Sequence, residues 1–134
     1  KETMMGFLEK LKDLDVEVIF AVGFPLENLQ KADLFILPSL HESFGLTVLE
    51  AMACSLPVIV TDQVGSSDHV IDGVNGFVVE ANSSEALSNK IKYFYENPEA
   101  KILFGKESRK IAENLNYRFI AKKFISSLGI KNKI

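Results

Sequence analysis

Four short apolar runs punctuate the first 80 residues, Val16–Val22 (VEVIFAV), Leu34–Leu37 (LFIL), Val58–Thr61 (VIVT) and Phe77–Glu80 (FVVE), and segments of helical spacing lie between them. A strand with one wet face alternates apolar and polar residues. A run that is continuously apolar belongs to a strand covered on both faces, which is the condition of a parallel sheet between helices. The alternation therefore predicts an α/β fold of three layers, α/β/α, with a small parallel sheet of about four strands. Ligands of such sheets bind in the crevice at the carboxyl ends of the strands. Three loops leave those ends here, Gly23–Pro25, Pro38–Gly45 and Asp62–Gly65.

The spacing of Met4, Phe7, Leu8 and Leu11 predicts a helix over Thr3–Leu14, and two more are expected at Leu26–Lys31 and Leu46–Cys54. Gly65–Gly76 reads as loop with one helical turn around His69–Ile71. Beyond it the pattern is wholly helical. Asn82-Ser-Ser-Glu85 resembles a capping box with Asn82 as the cap, and its helix runs to about Glu96. Asn97-Pro98-Glu99 restarts the chain with a cap and a proline at the first helical position, ahead of helices at Ala100–Asn114 and Tyr117–Leu128. Residues 16–80 thus form the sheet core and residues 82–130 a set of C-terminal helices.

At 134 residues the chain fits one domain. Its net charge of −3 argues against nucleic acid as a partner, because a duplex binder needs a basic face. The single cysteine, Cys54, rules out an internal disulfide and suits a reducing, cytoplasmic compartment. No apolar run approaches the ~20 residues that span a bilayer. Four strands are few for a sheet of this kind and the first residue is Lys1, so the sequence is expected to be an excerpt of a longer protein.

Chemistry concentrates between Ser39 and Glu50. Two acids, Glu42 and Glu50, stand eight residues apart around the turn residue Gly45. Glycine lets backbone and ligand approach closely. The amides of Gly45, Leu46, Thr47 and Val48 would be the unpaired donors of a helix start, and such donors favour an anion, a diphosphate being the natural occupant. Glu42 can accept from sugar hydroxyls beside that anion. Thr47, Glu50 and Cys54 share one helix face, and a carboxylate on that narrow polar stripe can accept both hydroxyls of a ribose. Taken singly, each acid is more often a solvated residue or the partner of a lysine than a ligand contact; their joint placement around a glycine turn at a strand's carboxyl end is what points to a ligand.

These residues resemble the C-terminal half-domain of the family 4 retaining glycosyltransferases, whose two Rossmann-like domains face each other in the GT-B architecture. The matching pieces are ADLFILPS (Ala32–Ser39), the E-x7-E motif as Glu42-SFGLTVL-Glu50, AMA (Ala51–Ala53), PVIVTD (Pro57–Asp62) and DGVNGFVV (Asp72–Val79). The resemblance implies that residues 1–134 are a partial C-terminal Rossmann-like domain, with the acceptor domain elsewhere in the same chain. It implies a nucleotide-diphosphate sugar as donor substrate, transfer to an acceptor hydroxyl with retention, and no metal or other cofactor. The donor site would comprise Glu42, Ser43, Phe44, Gly45, Leu46, Thr47 and Glu50, with Glu42 at the reaction centre and Glu50 on the ribose.

Departures from the family pattern are local. Ser55 stands where glycine is usual, His69 takes the place of an acid after Gly65-Ser66-Ser67-Asp68, and Gly23–Lys31 is about a turn short. The phosphate-binding Arg and Lys of the family have no counterpart in this stretch. Two further readings stay open on these grounds, a non-catalytic assembly module of the same fold and a sugar-nucleotide epimerase. His41 and His69 lack companions at metal-ligand spacing. Cys54 reads as a small buried side chain, and Tyr93, Phe94, Tyr95 and Phe104 as helix packing. Arg118, Lys122 and Lys123 read as a solvated face, or alternatively as a contact to anionic lipid in a peripheral membrane protein.

Overall fold

A computed structural model describes residues 2–19, 26–39 and 46–115. In chain order the elements are helix α1 (Glu2–Leu11), helix α2 (Leu26–Lys31), strand β1 (Phe35–Leu37), helix α3 (Leu46–Ala53), strand β2 (Val58–Thr61), a 3-10 helix (Gly65–His69), strand β3 (Gly76–Val79), and helices α4 (Ser84–Glu96) and α5 (Pro98–Asn114). The sheet is parallel in the order β1-β2-β3, with Phe35 opposite Val58 and Val58 opposite Gly76.

Every residue of β2 is buried, as its apolar run Val58–Val60 requires of a central parallel strand, and the terminal Thr61 is buried with it. Val58 and Val60 join Val48, Leu49, Ala51 and Met52 of α3 in one core cluster. Ile59, between them, joins Phe77 and Val79 of β3, Leu87, Ile91 and Phe94 of α4 and Leu11 of α1 in the other. The period of two along the strand therefore separates the two helical layers. The three-layer α/β expectation holds.

The first expected strand does not form over its described part. Residues 15–19 have no regular secondary structure, and residues 20–22 of that expected strand lie outside the described residues, as does the expected helix Tyr117–Leu128. Among the described residues the sheet has three strands. Val16, Val18 and Ile19 are exposed and line a groove of about 630 Å³ together with β1, to which they are not paired. An apolar run signals burial only when a neighbour covers it.

Several ends shift. Ser83, not Asn82, caps α4: its Oγ accepts from the Ala86 amide at 3.1 Å. Asn82 lies one position earlier with φ 63°, a left-handed conformation that asparagine tolerates better than most residues. That turn moves the cap by one residue and takes Glu85 out of the capping-box position. Pro98 opens α5 as expected, but the Asn97 side chain caps nothing there; its Nδ2 donates to the Tyr93 carbonyl at 2.8 Å and so closes α4 instead. The helical turn after β2 falls at Gly65–His69, earlier than His69–Ile71. Phe94 and Phe104 pack edge to face at 5.2 Å beside Phe77 and Tyr93. Tyr95 departs from the packing expectation, being exposed with its hydroxyl accepting from the Asp15 amide.

Buried polar groups fix the connection between β2 and β3. Asn75 is fully buried; its side-chain oxygen accepts from the Ile71 amide at 2.7 Å and its Nδ2 donates to the His69 carbonyl at 3.3 Å. Its own carbonyl accepts from the Val58 amide and from Ser108 Oγ of α5. Gly76 next to it runs so close to β2 that a Cβ there would lie 1.9 Å from the Val58 carbonyl oxygen.

Candidate functional site

Strand β1 delivers the chain through Pro38 and Ser39 to the E-x7-E segment, and α3 carries it away. The exit is tied to the neighbouring strand, since Thr61 Oγ1 at the end of β2 donates to the Ser39 carbonyl at 2.5 Å. Thr61 is itself buried, so this bond fixes the relative height of the two strand ends. Glu42, Ser43, Phe44 and Gly45 lie outside the described residues, as does His41. Leu46 and Thr47 open α3, whose first turn contains no acidic residue.

Along α3 the sequence partitions by face. Val48, Leu49, Ala51 and Met52 are buried, whereas Thr47 and Cys54 are half-buried and Glu50 is exposed. The polar stripe Thr47–Glu50–Cys54 is thus the face turned away from the sheet. Exposure lets water solvate the Glu50 carboxylate, so the charge costs this apolar helix little. Glu50 does not stand on a bare surface, however. It lines a recess of about 500 Å³ with Cys54 and Ser55 at the end of α3, Leu26 and Gln30 of α2, and Arg109 of α5.

Arg109 was not legible as part of this site. Its Nε donates to Glu113 at 2.8 Å, an i,i+4 pair on α5, and its Nη1 reaches across to the Ala53 carbonyl at 2.7 Å. The i,i+4 spacing was the only signal in the sequence, and it reports a helix surface pair, not a contact 56 residues away. Close packing makes that reach feasible: a Cβ on Gly105 would lie 2.2 Å from the Ser55 carbonyl oxygen. Ser55 itself has φ 63°, so a serine occupies a left-handed position where the resemblance expects glycine. His69 is half-buried, and the bond from Asn75 engages its backbone carbonyl. Among the described residues no group of three or more His, Cys, Asp or Glu side chains gathers as a metal site, and no helix is long and apolar enough to cross a membrane.

Residues 9–114 match the family model described as glycosyl transferases group 1, which covers most of the chain, including β1, α3 and the whole E-x7-E segment. The chain belongs to the group 1 glycosyltransferases. It is 36% identical to sucrose synthase 5 of Arabidopsis thaliana over 97 residues, which span 69% of this chain and 12% of that protein. Among solved structures, sucrose-phosphate synthase from Thermosynechococcus elongatus superposes with a TM-score of 0.69 at 28% identity, covering 96% of this chain and 33% of the other. Anabaena Alr3699/HepE, solved in complex with UDP, gives 0.65 at 27%, covering 77% and 29%. The chain thus spans a third or less of each of these relatives.

Proposed function

We propose that this chain supplies the donor-nucleotide subsite of a retaining glycosyltransferase, with residues 1–134 as part of its C-terminal Rossmann-like domain. The observation that carries the reading is Glu50, a carboxylate presented on the open face of α3 inside a recess, eight residues after Glu42. A carboxylate so placed can accept both hydroxyls of a ribose, and hydrogen bonds to a charged group contribute about 1.5–3 kcal/mol. The start of α3, free of acidic side chains, suits the diphosphate that a ribose at Glu50 would bring with it. UDP in the related HepE structure supports a nucleoside diphosphate as the class of ligand.

In this reading the bond between the sugar's anomeric carbon and the diphosphate oxygen breaks as the acceptor oxygen bonds to that carbon on the same face. The acceptor's proton passes to the departing phosphate oxygen. Glu42 positions the sugar and stabilises positive charge at the anomeric carbon, Ser43 to Thr47 hold sugar and phosphate, and no metal takes part. The acceptor binds against the other half of the cleft, contributed by an N-terminal domain. The enzyme works in the cytoplasm, free or at the membrane surface.

The test is an NMR titration of the intact enzyme with UDP. Amides of Leu46, Thr47 and Val48 should shift, and Glu50→Ala should raise the UDP concentration this takes by about tenfold or more; nucleotide that leaves these amides unmoved would contradict the reading.

A further inference from the structure

We infer that Arg109 is a positioning residue for Glu50, holding the end of α3 so that the carboxylate keeps its place in the recess; this rests on the donor-subsite reading above. Helix α3 has no basic residue in its own last turn, so its terminal carbonyls lack a cation from within the helix. Arg109 provides one from α5, its Nη1 lying 2.7 Å from the Ala53 carbonyl oxygen. Glu113 accepts from Nε at 2.8 Å and orients the fork, although both side chains stand at the surface. On the same stretch of α5, Gly105 lets the helix backbone close onto Ser55, and Ser108 donates to the Asn75 carbonyl. Arg109, Glu50 and Ser55 line one recess, so the clamp acts on the wall that carries the acid.

The clamp spans a single helical turn from its anchor to its target, since the Glu50 carbonyl accepts from the Cys54 amide at 3.1 Å. Releasing Ala53 lets that last turn fray, and fraying displaces the residue whose carbonyl the turn uses. Arg109 itself needs no contact with the ligand.

UDP affinity of the intact enzyme tests this by a double-mutant cycle with Arg109→Met, which keeps much of the apolar stem without the donors, and Glu50→Ala. Arg109→Met should weaken UDP roughly fivefold in the wild-type background and change nothing once Glu50 is alanine. Equal losses in both backgrounds, or no loss in the first, overturn the inference. Glu113→Gln, at an exposed position that leaves folding intact, should give a smaller loss that likewise vanishes with Glu50→Ala. Hydrogen exchange separates this claim from the proposed function. Should the wild-type enzyme not bind UDP, the donor-subsite reading fails, while faster exchange of the Cys54 and Leu56 amides in Arg109→Met still supports the clamp and unchanged exchange overturns it.

Discussion

Asn75 shows how much one side chain can hold. Buried completely, it satisfies the Ile71 amide and the His69 carbonyl with its own amide group, while its backbone joins β2 and α5 to the same point. Asn75→Ala removes the side-chain partners of two part-buried backbone groups and should lower stability by about 1–3 kcal/mol, read from the urea midpoint at unchanged slope. Ser55 carries the opposite sign. Its left-handed φ of 63° is strained for any residue with a Cβ. Ser55→Gly should raise stability by about 0.5–1 kcal/mol, the relief of that strain less the extra freedom glycine has when unfolded. Both residues were visible in the sequence to different degrees. Ser55 stood out against a family pattern that has glycine. Asn75 lay inside the quoted motif DGVNGFVV without any sign of its role, because its partners are backbone groups four and six residues back that converge only once the loop has folded.

Elements obey the same division between local and distant causes. Strand β2 has the bounds its sequence predicted, since four β-formers, three of them apolar, between a proline and an acid leave little choice. VEVIFAV is also rich in β-formers, yet its residues 16–19 line the groove along β1 and, among the described residues, pair with no strand. Apolarity marks a segment that can be covered; pairing depends on a neighbour that no local pattern encodes. The cap of α4 failed for a smaller reason: Asn82 and Ser83 are both good caps, and the left-handed turn at Asn82 selects the second. Gly76 is the element-scale position most sensitive to change. A methyl group there would sit 1.9 Å from the Val58 carbonyl oxygen, against rigid backbone at the first pair of the β2–β3 ladder. Gly76→Ala should cost about 3 kcal/mol or more, seen as a large fall in the thermal midpoint.

At the scale of the molecule, parallel strands and a tied strand exit place α3 so that one face builds the core and the other bears Glu50. The acid and its helix were legible because E-x7-E and the apolar stripe are both local patterns. The wall opposite, Arg109 on α5, was not, because tertiary packing alone brings residue 109 to residue 53. The central claim is that the Glu50 carboxylate reads the ribose of a nucleoside diphosphate. Calorimetric titration of UDP and 2′-deoxy-UDP into the intact enzyme and its Glu50→Ala variant tests it most directly. The wild type should prefer the ribonucleotide by about tenfold and the variant should bind both alike; a variant that keeps the full preference would contradict it.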